Sequence, residues 1–458
     1  MHSLLVNKFW FPLQEAIKRK PTYAYLRELE RSQWLSAREL RQLQLERLKV
    51  CLEFAAREVP YYGALFSQAG IKPGQISSLT DMARIPFFDK EIIRSHQSEV
   101  QPRNKIARTQ KMSTGGSTGT PVAVYVDPSR AAFTDAVRMR AHRWFDVDTG
   151  AREIALWGSP IELGRQDWRR NLRDWLVNSK FLAAFNMSEA RMTDYGKIIQ
   201  SFRPAKMYGY ASAFYLLAAH LKNRSWRPPA ELKVIFVTAE PLYDFQRRMV
   251  EEVFQCAVAG EYGARDAGLM ANECPRGGLH IPAEGMLIEI DAPDRSGLGE
   301  IVVTNFFSRA MPIIRYRTGD MGRLDSDPCS CGRALPRLHS VEGRRTDFLI
   351  TPDGRMVHAL AIIYPLRETR FVRQFQVEQL ALDKIVLRVV PERPLKDEEK
   401  RALVQKSEAA LGKGMNVVLD CVERIPRLAS GKYRYVISNV AEEYLKELSD
   451  RQPVTAAV

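Results

Sequence analysis

The sequence has no uninterrupted apolar run near the roughly 20 residues that a bilayer-crossing helix needs. A membrane-spanning chain is therefore not expected. Residues 1–20 also lack the continuous apolar core and small-residue cleavage site of a secretory signal, so the cytoplasm is the expected compartment. Cysteine is scarce, with six in 458 residues, and its spacing is unlike that of a secreted disulfide scaffold. No internal repeat or low-complexity tract occurs, which argues against a solenoid. The Gly-Lys-Ser/Thr ending of a Walker loop is missing as well, which disfavours a P-loop NTPase.

What is present is the composition of an ordinary globular protein, 45% hydrophobic and 27% charged. The length calls for two or three folding units rather than one core. A net charge of +14 favours anionic partners, but Lys and Arg are spread along the whole chain. Charge alone admits a basic binding protein for nucleic acid or membrane, which would need a clustered basic face or stacking aromatics.

Ser36-Ala-Arg-Glu39 has the form of a capping box, and Leu40, Leu43, Leu48, Leu52 and Ala55 follow near helical spacing. The helix should stop before Pro60, with Tyr61-Tyr62-Gly63 as a turn. Upstream, Leu4 to Ile17 reads as a helix packed on the protein body, with an interfacial membrane helix as the alternative. From Ile154 onward apolar strands alternate with helical segments, which predicts an α/β domain with a mainly parallel sheet. After Gly299 short strands and turns take over, and residues 384–421 read strand, helix, strand. The expected division is an N-terminal domain over 1–343 and a small mobile α+β domain over 344–458.

The most informative stretch is Ser113-Thr-Gly-Gly-Ser-Thr-Gly-Thr-Pro121, followed by Val122, Val124 and Val126 at strand spacing. Gly115, Gly116 and Gly119 let the backbone approach an anion, and the hydroxyls of Ser113, Thr114, Ser117, Thr118 and Thr120 add donors. Read alone, such a loop is also compatible with a polar turn between strands. Cys274, His280, Cys329 and Cys331 offer three thiolates and one imidazole, the donor set of tetrahedral structural zinc; free buried cysteines are the alternative.

Further pieces follow the loop in order: Val237-Thr-Ala-Glu-Pro241, Tyr262-Gly-Ala-Arg-Asp266, Tyr316-Arg-Thr-Gly-Asp320, Gly343-Arg-Arg-Thr-Asp347 and Pro426-Arg-Leu-Ala-Ser-Gly-Lys432. With this set the chain resembles the adenylate-forming superfamily, and within it the phenylacetate-CoA ligase branch, including capsular polysaccharide-type members. The resemblance extends from Trp34 to about Val436, and Ser32-Gln-Trp-Leu35, before the first helix, resembles the capsular type.

The resemblance implies an enzyme that condenses a carboxylic acid with ATP to an acyl-AMP and then transfers the acyl group. Ser113 to Gly119 would grip the triphosphate, with Thr114 taking part in catalysis. Ala239, Glu240 and Pro241 would wall the adenine, with Tyr262 and Gly263 beside it, and Asp266 would hold magnesium in place of the family's usual Glu. Asp320 would accept the ribose hydroxyls, Arg344 would lie near the ribose, and Asp347 would be the hinge. Lys432 would bridge the carboxylate and the α-phosphate. Tyr208, Gly209, Tyr210 and Phe214 would reach the acyl pocket, although this segment departs from the Thr-Pro-Ser-Tyr run of phenylacetate enzymes. Coenzyme A is the implied acceptor, with an amine of a sugar or amino acid as the alternative. No nucleic acid is expected, while peripheral membrane association and a homodimer remain open.

Overall fold

The computed structural model describes residues 5–113, 122–157, 176–184, 187–222, 224–293, 297–344, 348–352, 356–358, 362–363, 366, 369, 371–412, 414–426, 434–438 and 440. Ser36 caps the helix Ala37–Glu58 as its spacing predicts. Its Oγ accepts from the Glu39 amide at 3.3 Å, and the Glu39 carboxylate accepts from the Ser36 amide at 2.8 Å. Leu40, Leu48, Leu52 and Ala55 form the buried stripe.

The turn expected at Tyr61 to Gly63 is instead a second helix, Pro60–Gln68. Proline interrupts the first helix but suits the first position of the next, where its missing N–H would have had no partner and its fixed φ is already helical. Tyr62 is fully buried, and its hydroxyl donates to the Pro312 carbonyl at 3.0 Å.

Beyond a small hairpin, β1 (Gln110–Ser113) with β2 (Ala123–Val126), the large sheet starts with β3 (Glu153–Trp157) and β4 (Ser179–Ala183). It continues through β5 (Lys206–Gly209), β6 (Val234–Thr238), β7 (Ala257–Ala264), β8 (Gly268–Glu273), β9 (Leu279–His280), β10 (Met286–Asp291), β11 (Gly299–Asn305), β12 (Ile313–Asp325) and β13 (Arg337–Arg344). Its order is β10-β11-β12-β13-β9-β8-β7-β6-β5-β3-β4. From β4 to β7 the pairing is parallel, and antiparallel pairing begins at β7 with β8. The helices Ala211–Lys222 and Asp244–Phe254 follow β5 and β6, as the alternating pattern predicts. Where short strands were expected, β12 is long and runs on through Arg315, with φ 48°, and Gly319, with φ 76°.

Two compact units result, one reaching Val341 apart from Gly319–Met321, the other comprising those three residues and the chain from Glu342. The second unit holds β14 (Phe348–Ile350) paired with β15 (Met356–His358). It also holds a sheet of β16 (Val372–Ala381), β17 (Lys384–Pro391), β18 (Asn416–Cys421) and β19 (Val436–Ser438), with the helix Asp397–Leu411. Gln379 joins these sheets by donating to the Ile350 carbonyl at 2.6 Å and accepting from the Ile350 amide at 3.0 Å. Among the described residues no helix is long and apolar enough to cross a membrane.

Candidate active site

The parallel register sets the ends of β3, β5, β6 and β7 side by side. Leu156 pairs with Gly209, Gly209 with Val237, and Thr238 with Glu261. Trp157, Ala239 and Tyr262 therefore emerge along one carboxyl edge, where open α/β sheets bind ligands. Ala239 leaves that edge with φ 67°, a left-handed conformation that a residue with a Cβ adopts only under constraint. The turn then presents Glu240, whose Oε2 accepts from the Ser212 amide at 3.0 Å. A carboxylate is favourable there, at the start of the helix Ala211–Lys222. The expected adenine wall and acyl segment are thereby tied together.

On the next strand a bulge separates Tyr262 from Gly263. A Cβ on Gly263 would lie 3.0 Å from the Gly268 carbonyl oxygen, so the close approach of β8 favours glycine. Asp266 is 6% exposed, which rules out an ordinary surface carboxylate. Its Oδ2 accepts from the Tyr316 hydroxyl at 2.6 Å and its Oδ1 from the Ala267 amide at 3.1 Å. A carboxylate has about four lone-pair sites, so capacity remains for a hydrated magnesium ion.

The turn that carries Asp266 is held from beneath by Arg130, which donates to the carbonyls of Arg265 at 2.9 Å and Asp266 at 2.7 Å. Burial lowers the Arg130 pKa from its ordinary value, opposed by the carboxylates of Asp266 and Asp127. Asp127 caps the helix Pro128–Arg143 and also accepts from the Arg309 and Ala310 amides at 2.9 and 3.1 Å. Arg265 points the other way and donates to the Ser113 carbonyl at 3.1 Å, at the entrance to the expected phosphate loop. Sequence reasoning missed Arg130, Asp127 and Arg265. The Asp127-Pro128 pair is a readable helix-start signal, but nothing local announces that Arg130 is buried.

The Tyr316 motif divides its work. Tyr316 is buried and bonded to Asp266, Arg317 pairs with Asp291 and stacks on Phe87 at 4.3 Å, and Thr318 donates to the Ile301 carbonyl at 2.8 Å. Asp320 follows on β12. Arg344 ends β13. Thr114, Gly115, Gly116, Ser117, Thr118, Gly119, Asp347 and Lys432 lie outside the described residues, as does the side chain of Arg344.

At the acyl segment, Trp157 stacks on Tyr210 at 4.2 Å and on Tyr208 at 5.6 Å. The Tyr208 hydroxyl donates to Glu261 Oε1 at 3.1 Å, and Arg138 pairs with the same carboxylate at 3.0 Å. Burial, then the Glu261 charge, raises the Tyr208 pKa and keeps the phenol protonated. Phe214 and Tyr210 are both buried in the core that also holds Leu217 and Phe254. Gly209 is needed for packing, since a Cβ would stand 2.2 Å from the Leu156 carbonyl oxygen.

Cys274, His280, Cys329 and Cys331 converge, with their donor atoms all within 4.8 Å of one another. The Cys274 and Cys329 sulfurs are 3.7 Å apart, close to the roughly 3.8 Å that two 2.3 Å zinc–sulfur bonds subtend at a tetrahedral centre. Cys331 Sγ is 3.2 Å from His280 Nε2, while His280 Nδ1 is 3.3 Å from the Leu335 carbonyl, a partner that leaves Nε2 for a metal. A Cβ on Gly278 would stand 2.7 Å from the Cys329 sulfur, so glycine keeps the cluster open. The donor set and its spacing fit a structural zinc ion.

Comparison with known proteins agrees with this geometry. Residues 349–439 match the family model of the CapK C-terminal domain. The chain is 23% identical to Protein CapK of Staphylococcus aureus over 440 residues, covering 93% of this chain and 94% of that one. It is 29% identical to the phenylacetate-coenzyme A ligase of Thermus thermophilus over 342 residues, covering 69% and 73%. Among solved structures, 2-hydroxyisobutyryl-CoA ligase in the postadenylation state, with R3-HIB-AMP, superposes with a TM-score of 0.71 at 20% identity, covering 92% and 94%; this likeness bears on the fold. The reading as a basic binding protein without ligase chemistry is not retained. The chain is thus similar to CapK over nearly its whole length and to phenylacetate-CoA ligases over about two thirds of it, and it has the fold of an acyl-CoA ligase.

Proposed function

We propose that this protein condenses a carboxylic acid with ATP to an acyl-adenylate and pyrophosphate, then transfers the acyl group to coenzyme A as a thioester. The observation that carries this reading is the convergence at one turn: Arg265 binds the Ser113 carbonyl at 3.1 Å and Asp266 binds Tyr316 at 2.6 Å. Three segments far apart in sequence thus meet at one turn, which supports assigning them to a common site.

Attack of a carboxylate on the α-phosphate brings two anions together and spreads negative charge over the transition state. Fixed donors offset that repulsion without reorganising. The loop from Ser113 supplies amides and hydroxyls, and Lys432 is assigned the bridge between the carboxylate and the α-phosphate. Asp266 would hold magnesium, which would supply further neutralisation. Tyr208 and Tyr210 would shape the acyl site, and zinc on Cys274, His280, Cys329 and Cys331 would be structural, since a four-ligand site leaves no open position.

The test is carboxylate-dependent ATP–pyrophosphate exchange across aryl, short aliphatic and sugar-derived acids, followed by acceptor trials with coenzyme A and with amines. Exchange with one acid that falls on the order of 100 to 1,000-fold in Lys432→Ala is the expected result. ATP binding without exchange for any acid would overturn the reading, and transfer only to an amine would replace coenzyme A as the acceptor.

A further inference from the structure

The N-terminal helix is fixed along the first unit with one apolar edge turned outward. A π-helical stretch, Val6–Trp10, runs into the α-helix Phe11–Lys18. Its inner face is anchored: Val6 is buried, Asn7 Nδ2 donates to Asp148 at 2.8 Å, and Phe11 meets Tyr23 edge-on at 5.8 Å. Glu15 is buried against Thr22, and Arg108 donates to the Ile17 carbonyl at 2.9 Å. On the outer edge Leu5, Phe9, Leu13 and Ile17 recur every fourth residue and are 59%, 66%, 41% and 67% exposed. Four large apolar side chains in one line exceed the scattered single exposures of an ordinary surface.

The exposed charged side chains that this helix end and Arg108 present are basic. Lys18, Arg19 and Arg108 are exposed, and Lys20 takes up the nearby Asp135 at 3.1 Å. Residues 5–20 contain a single acid, the buried Glu15. Two copies meeting across this narrow edge would bring like charges together, whereas an anionic lipid surface accepts the apolar side chains and pairs with the cations.

We propose that the Leu5-Phe9-Leu13-Ile17 edge of the N-terminal helix docks this protein peripherally on an anionic membrane surface. The apolar side chains would enter the headgroup–acyl boundary, and Lys18, Arg19 and Arg108 would lie at headgroup level.

Sedimentation of the full chain with vesicles of phosphatidylcholine containing about one third phosphatidylglycerol tests this. The wild type should co-sediment, at least about tenfold more weakly with pure phosphatidylcholine, because each juxtamembrane cation contributes near an anionic surface. Phe9→Ser with Ile17→Ser should weaken partition on the order of 100-fold, since both side chains lose the apolar environment that the bilayer provides. Both residues are exposed, so the thermal midpoint of the double variant should match the wild type. Three results would overturn the proposal: a folded wild type that stays in the supernatant, a double variant that still sediments, or a double variant that converts a dimer to a monomer without altering sedimentation.

Discussion

The hydroxyl of Tyr316 lies 2.6 Å from Oδ2 of Asp266 and joins the strand that leads to Asp320 with the turn that leads from Tyr262. Both residues are buried, so the bond is a charge-assisted contact shielded from water. Tyr316→Phe removes the donor and leaves the carboxylate with the Ala267 amide. It should destabilise the fold by about 1.5–3 kcal/mol, the range for a hydrogen bond to a charged group, and lower adenylation by about tenfold or more. Denaturant unfolding and pyrophosphate exchange read the two effects. An unchanged exchange rate in the folded variant would mean that the contact is structural alone.

The Cys274, His280, Cys329 and Cys331 cluster adjoins the first helices. Arg333 lies over the rings of Trp34 at 4.8 Å and Trp144 at 4.6 Å, and Gln33 Oε1 accepts from Trp144 at 2.8 Å and from Arg333 at 2.9 Å. Trp144 in turn packs edge-on against His280 at 5.6 Å. The purified protein should carry one zinc per chain by elemental mass spectrometry, and Cys329→Ser should lose it. The thermal midpoint should then fall by roughly 5–10 °C, as expected for a loss of about 3 kcal/mol in a large unit. Tryptophan emission should shift as the sandwich around Arg333 loosens. Metal-free protein with an unaltered midpoint would remove zinc from the account.

Local chemistry was legible in the sequence and distant convergence was not. The Ser36–Glu39 cap is readable because both partners lie within one turn, and the cysteine–histidine set is readable because few residue types ligate zinc. The helix at Pro60 was misread because proline stops one helix and starts another with the same stereochemistry. Arg130, Asp127 and Arg265 have no local signature: their partners at Asp266, Ala310 and Ser113 are brought to them only by the sheet.

Arg140 and Glu284 form a buried pair at 2.6 Å, with side chains 2% and 0% exposed. Glu284 also accepts from Ser32 Oγ at 2.7 Å, so the pair fastens the helix Thr22–Ser32 to the helix Pro128–Arg143. Arg140→Met should cost about 3–5 kcal/mol because it leaves a buried carboxylate unpaired. Adding Glu284→Leu should recover part of that loss, since an apolar pair needs no desolvation. Equal stability of the single and double variants in denaturant titrations would show that packing, not the stranded charge, sets the cost.

His142 gives the fold an acid limit. Its ring is buried against Phe236 at 4.1 Å, and its Nδ1 accepts from Lys206 Nζ at 2.9 Å. Burial, then the charges of Lys206 and Arg138, hold the imidazole pKa well below its ordinary 6.5, so the folded ring stays neutral. The unfolded ring takes up a proton below pH 6.5, so the unfolded state binds more protons and stability falls as pH drops through that range. The slope from this one group reaches at most about 1.4 kcal/mol per pH unit. His142→Gln keeps an acceptor near Lys206 and removes the titration, and Glu153 remains paired with Lys206 at 2.8 Å. Unfolding free energies at a series of pH values from about 7 to 5 should therefore decline less steeply in His142→Gln than in the wild type, by up to one proton. Parallel curves would mean that the acid limit comes from the carboxylates instead.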